Sequence, residues 1–157
     1  MTVMNLDQLD VWRLARDFAV TIYQRVCPLL PPAKRYNLAD QLRRAAASIP
    51  ANIAEGHGRY YYQDNVRFCY YARGSLTEVQ SHLSLAKELG FISPQLYASV
   101  TSEAEVVARA TNRWIAYLKK ARIGANEPGA GHAVHEIRPA YITEDSTDIS
   151  APPILSD

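Results

Sequence analysis

Residues 41–62 read "QLRRAAASIPANIAEGHGRYYY". Leu42, Ala45, Ile49 and Ile53 recur at steps of three and four, which puts them on one face of a helix. Between them lie Ala46, Ala47, Ser48, Ala51 and Ala54, whose short side chains let a neighbouring helix approach closely. Pro50 sits inside this pattern. It has no amide to donate to the carbonyl of Ala46 and it crowds the preceding turn, so a bend is expected there. An interior proline costs about 3 kcal/mol, which argues for a shaping role in the bundle or at an interface. Gly56 reads as the residue just past the helix end, where a left-handed conformation carries no penalty. The stretch is therefore a helix built for close packing, followed by a tight turn with an arginine and three tyrosines.

Outward from it, the chain repeats the same kind of pattern. Upstream, from about Leu6 to Cys27, Val11, Leu14, Ala15, Phe18, Ile22 and Val26 form a helical stripe, ended by Pro28, Pro31 and Pro32. Asn37 caps the second helix and Asp40 suits its positive end. Downstream, Tyr62 to Leu89 carries Phe68, Ala72, Leu76, Val79, Leu83 and Ala86, and Gly90 closes it. The fourth helix begins with Ser93 as cap and Pro94 in the first turn. Its stripe runs through Leu96, Val100, Ala104, Val107, Thr111, Trp114 and Leu118 and ends by Arg122. No alternating strand pattern of useful length appears. Four amphipathic helices with short connections predict an all-α fold, an antiparallel up-and-down four-helix bundle over residues 1–122. Residues 123–157, rich in Gly and Pro and without periodicity, are expected to form a disordered acidic tail.

The chain of 157 residues carries a net charge of +1. That figure conceals a division. Residues 1–122 hold 16 Lys+Arg and 10 Asp+Glu, a net of +6, whereas residues 123–157 hold one Arg and six acids, a net of −5. A basic body suggests an anionic partner, and the tail could compete for the same surface. No apolar run is long enough for a transmembrane helix. The N-terminus lacks the pattern of a signal peptide, and Cys27 and Cys69 make no disulfide framework. A cytoplasmic protein with no membrane partner is the expectation.

The candidate binding residues are Arg43, Arg44, Arg59 and Arg67, with Lys119, Lys120 and Arg122 as a second group. Tyr60, Tyr61, Tyr62, Tyr70 and Tyr71 are interleaved with the first group. Arginine with aromatic rings suits RNA or DNA, through phosphate contacts and base stacking. The same composition suits a protein interface, or a solvated face with half-buried rings. Ser48, Asn52 and Glu55 share one helix flank, and Ser75 and Glu78 share another; facing each other they would form a buried polar network. A Glu55–Glu78 acid–base pair is the enzymatic alternative, but no nucleophile, phosphate loop or metal set accompanies it. "GHG" at residues 56–58 follows a helix and lacks the third glycine of a dinucleotide fingerprint. "HAVHE" at 132–136 has no second ligand pair, so no metal or other cofactor is expected.

The motifs "LDVW" (Leu9 to Trp12), "IY" (Ile22, Tyr23), "QLRRAA" (Gln41 to Ala46), "SIPANIAEG" (Ser48 to Gly56), "GR" (Gly58, Arg59) and "ARGSLTE" (Ala72 to Glu78) resemble those of the 23S rRNA intervening-sequence proteins. This bacterial four-helix-bundle family also includes relatives of the accessory variability determinant of diversity-generating retroelements. The resemblance spans about Leu9 to Lys120, and the "SIPxNIAEG" block is its most specific part. It implies a homopentameric barrel with a basic surface and no defined enzymatic activity. Its retroelement relatives bind nucleic acid and a reverse transcriptase. The acidic segment after Arg122 is additional to the family pattern.

Overall fold

The computed structural model describes residues 5–32 and 37–126. Four helices, α1 (Asp10–Thr21), α2 (Leu38–His57), α3 (Tyr62–Glu88) and α4 (Pro94–Ala121), form an antiparallel bundle. The described residues contain no strand. Each helix packs on the next, and α4 closes the ring against α1. The 27 residues of α3 and 28 of α4 give rods of about 40 Å at 1.5 Å per residue.

The caps follow the sequence pattern. Asn37 Oδ1 accepts from the Ala39 amide at 3.0 Å, and Ser93 Oγ accepts from the Leu96 amide at 3.1 Å. Each satisfies one amide that the helix leaves without a partner. Gly90, just beyond α3, adopts φ +74°, the left-handed geometry that glycine accepts freely.

The start of the chain differs from the single helix expected over Leu6–Cys27. Leu6–Gln8 form a 3₁₀ turn, with Asn5 Oδ1 accepting from the Asp7 amide at 3.3 Å. Leu9 is extended and buried, and α1 starts after it. Burying the Leu9 side chain fixes the entry of the chain more firmly than one more helical turn would. At the other end, α1 widens into a π turn over Ile22–Val26 and tightens into a 3₁₀ turn over Cys27–Leu29. That change of pitch keeps Ile22, Val26 and Cys27 buried while Pro28 stops the helix.

Gly56 is the second difference. The helix runs through it to His57, and Gly56 is buried. A Cβ at this position would lie 2.8 Å from Phe68 Cβ and 3.0 Å from both the carbonyl and the side-chain oxygen of Asn65. Gly56 is therefore required by the close approach of α3, not by a left-handed cap.

One main core joins all four helices, with Phe18, Ile22, Leu42, Ile49, Ile53, Leu83 and Val107 fully buried. A satellite cluster of Val66, Cys69, Ile115 and Leu118 lies between α3 and α4 and carries Tyr62, Tyr70 and Trp114 on its margin. Full burial of such aliphatic side chains contributes about 1.5–3 kcal/mol each. No helix among the described residues is long and apolar enough to cross a membrane.

Candidate basic surface at one end of the bundle

The antiparallel arrangement gathers the end of α2, the start of α3, the end of α4 and the start of α1 at one end of the molecule. The Tyr62 amide donates to the Ile123 carbonyl at 3.1 Å, tying the α2–α3 connection to the exit of α4. Arg122 takes the left-handed conformation (φ 47°), and its amide reaches back to the Leu118 carbonyl. Gly124, at φ +79°, packs so closely that an added Cβ would lie 2.8 Å from the Tyr61 ring. Packing thus continues past Arg122, the residue at which the sequence pattern ends the bundle.

Seven cations were expected in two groups, Arg43, Arg44, Arg59 and Arg67 in one and Lys119, Lys120 and Arg122 in the other, and the fold divides them differently. Arg59 and Arg67 converge on one ring, with their guanidinium carbons 5.1 and 5.9 Å from the Phe68 centroid. Arg73 and Lys119 converge on Tyr70 at 5.5 and 5.7 Å. Such contacts contribute about 0.5–1 kcal/mol at exposed sites. They hold the side chains over aromatic faces and leave edges of the cations open to solvent. Lys120 and Arg122 stand exposed beside them. Arg43 and Arg44 are not part of this group. They lie fourteen and thirteen residues before the end of α2 at His57, about 20 Å along the helix, near Tyr23, whose hydroxyl donates to the Arg43 carbonyl at 3.3 Å.

Carboxylates temper several of the arginines. Arg43 pairs with Asp40 at 3.0 Å, Arg59 with Glu55 at 2.6 Å and Arg67 with Asp64 at 2.7 Å. Arg44 donates to the Gln41 side chain. Among the described residues, Arg73, Arg113, Lys120 and Arg122 have no carboxylate partner. Arg113 was not singled out from the sequence. Its signal was the spacing Arg113, Tyr117, Lys120, at steps of four and three along one face of α4.

The expected polar network takes another form. Asn52 Nδ2 donates to the Ser48 carbonyl at 2.8 Å within α2. Glu55 pairs with Arg59, just past the end of α2, and Glu78 meets His82 at 3.4 Å within α3. Ser75 is partly buried. No hydrogen bond between helices joins these five residues among the described ones. The contact of Gly56 with Asn65 and Phe68 sets the register of α2 on α3. It places Glu55 level with about residue 67, so Glu78 lies roughly 15 Å further along the axis. That separation excludes a carboxylate pair acting on one bond.

Beside the basic end, the start of α1 and the last third of α4 line an open cleft of about 400 Å³. Leu9, Val11 and Leu14 face Ala110, Trp114 and Tyr117 across it, with Arg113 on the rim. The Trp114 and Tyr117 rings stack at 5.1 Å, and His57 lies 6.3 Å from Trp114. Cys69, beneath this end, is buried against the Asn65 side chain, to which its thiol donates at 3.6 Å. Loss of solvent pushes its pKa up to about 12, so the thiol is inert rather than nucleophilic. Burial also raises the pKa of Cys27, opposed by the charge of Arg43. No group of three or more His, Cys, Asp or Glu among the described residues is placed to hold a metal. The His132–Glu136 motif lies outside them.

The family model described as 23S rRNA-intervening sequence protein matches residues 7–113. The chain belongs to that family. A solved structure with a similar fold is a protein of unknown function from the S23 ribosomal protein family of Bacteroides thetaiotaomicron. It shares 22% identity with this chain at a TM-score of 0.59, over 67% of this chain and 97% of that one. No curated relative matches.

Proposed function

We propose that the protein is a non-enzymatic, oligomeric binding module whose basic bundle end contacts nucleic acid, structured RNA in the first instance. The observation that carries this reading is the pairing of cations with rings at one end: Arg59 and Arg67 on Phe68, Arg73 and Lys119 on Tyr70. Phosphates meet the cations while unstacked bases meet exposed rings such as Tyr60, Tyr71 and Tyr117, the combination that favours single-stranded segments and loops. Assembly into a homopentamer, which the family resemblance implies, would repeat the basic end and raise avidity without new contacts. The exposed Leu29, Leu85 and Leu89 lie at the opposite end, where a protein contact would leave the basic end free.

A second reading, an interaction scaffold or accessory subunit for a reverse-transcriptase-type protein, draws support from the acids already paired with Arg43, Arg59 and Arg67. Those pairs reduce the positive potential and suit a mixed polar partner. A salt titration of RNA and DNA binding by fluorescence anisotropy separates the two. The first reading expects log affinity to fall with log salt by roughly 0.7–0.9 per phosphate contacted. Charge reversal at Arg59, Arg67 and Lys120 should flatten that slope more than reversal at Arg43 and Arg44. Absence of binding at low salt overturns the nucleic-acid reading and leaves the scaffold. Light scattering on the same samples should give a mass near five chains.

A further inference from the structure

The cleft between the start of α1 and the end of α4 joins an apolar floor to an unpaired cation. Leu9, Leu14, Ala110 and Trp114 line it, and Arg113 stands on its rim with no carboxylate partner among the described residues. Lys120 lies two turns further along the same face of α4, about 10 Å away, also without a carboxylate partner among the described residues. Asp10, on the α1 rim, is held by Arg13. A fitting occupant therefore has one or two apolar side chains followed closely by carboxylates spaced about 10 Å apart.

The chain itself contains such a segment. Residues 141–149 read "YITEDSTDI": Tyr141 and Ile142, then Glu144, Asp145 and Asp148. Four extended residues separate Glu144 from Asp148 by about 13 Å, close to the separation of Arg113 and Lys120. The described chain ends at Asn126, at the same end of the bundle as the cleft. Fifteen further residues reach Tyr141 and can span up to about 50 Å, whereas Arg113 is only about 14 Å back along α4 from Arg122.

We propose that residues 141–149 dock in this cleft on their own chain, with Tyr141 and Ile142 against Leu14 and Trp114 and the carboxylates toward Arg113 and Lys120. Covalent attachment gives the segment an effective concentration in the millimolar range, which a separate acidic peptide has to exceed. A polyanion that uses Arg113 and Lys120 then competes with the segment. The docking itself does not rest on nucleic-acid binding.

The test uses the full chain with Thr143→Cys labelled by bimane, a fluorophore quenched on contact with tryptophan. Cys27 and Cys69 are buried and stay unlabelled in the native protein. Docking keeps emission low, and Trp114→Phe restores it. Emission also rises severalfold with Arg113→Glu, with Lys120→Glu, and when salt goes from about 0.1 M to 1 M, which shortens the screening length from about 10 Å to 3 Å. Emission that is high from the outset, or indifferent to Trp114→Phe and to both charge reversals, overturns the proposal. So does quenching of a labelled Trp114→Phe chain by an added unlabelled chain, which would assign the cleft to a second copy. The assay contains no nucleic acid, so its failure leaves the binding reading intact.

Discussion

Two seams of the bundle are built by opposite means. Between α2 and α3 the fit is close: α2 buries Ala45, Ala46 and Gly56 beside its larger residues, and Gly56 lies so close to α3 that even a methyl group has no room. Between α1 and α4, large rings do the covering. Trp114 and Tyr117 stack on each other, and a cleft remains beside them. Trp114 Nε1 is buried there with no hydrogen-bond partner among the described residues. The difference shows that apolar content does not decide how well two helices fit. Smooth surfaces let backbones approach and fill space evenly, while large rings on a helix face leave edges that another group can occupy.

The largest effect that would break this contrast is a truncation in each seam. Ile53, fully buried on α2, should lose about 2–5 kcal/mol on substitution by Ala, because a closely packed site collapses little around the cavity. Leu14→Ala, on the wall of the cleft, should lose less, since its surroundings already meet solvent. Urea denaturation of both variants checks the order. Equal losses would mean that the two seams are equally tight.

Gly56→Ala comes next. The added Cβ meets Phe68 and Asn65, and overpacking of this kind costs about 1–3 kcal/mol. Alanine is otherwise the better helix former, so a stabilised variant would show that the seam can open without strain. Gly124→Ala should act locally. It combines a left-handed backbone with a contact on Tyr61, a strain of about 1–3 kcal/mol concentrated on the link between Tyr62 and Ile123. Amide exchange should quicken at Tyr62 while the core of α2 and α3 remains protected.

These positions also mark where the sequence was legible. The stripes, Asn37, Ser93 and Gly90 signal structure through local rules, and the four helices follow from them. Gly56 looked like a helix end because the two glycines and the histidine form a local turn pattern. Its true constraint comes from Phe68 and Asn65 on another helix, which no local rule reveals. Glu55 and Glu78 illustrate the converse. Their partners Arg59 and His82 stand four residues on, a spacing visible in the sequence, and proximity along the chain outweighed the expected contact between helices. Arg113 escaped notice because its importance depends on a cleft formed with residues of α1, which are far from it in the sequence.

The satellite cluster between α3 and α4 carries a pH dependence. Cys69 titrates at about 12 in the folded chain against an ordinary 9.0. An unfolded chain therefore loses this proton first as pH rises through about 9. Because the unfolded state then binds fewer protons, stability falls with pH, across the window from about 9 to 12. Cys69→Ala should flatten the alkaline limb of a stability–pH curve. An unchanged limb would assign it to other groups, such as the tyrosines.

The smallest effects belong to the ion pairs on the outside of both seams. Arg43–Asp40 on α2 and Arg13–Asp10 on α1 both join residues three apart, and their carboxylate side chains are 63% and 80% exposed. Exposed pairs of this type contribute about 0.2–1 kcal/mol, because water and salt screen them and two long side chains lose freedom. Double-mutant cycles with Asp40→Asn and Arg43→Gln, and with Asp10→Asn and Arg13→Gln, should give couplings in that range for both seams. Asp10 makes the comparison more informative, because it stands on the rim of the cleft. Removing its charge should leave the melting temperature almost unchanged yet raise the positive potential around Arg113. Bimane at position 143 should then be quenched further, an effect with no counterpart for Asp40→Asn. If the two substitutions alter emission equally, the rim of the cleft has no electrostatic advantage over the rest of the surface.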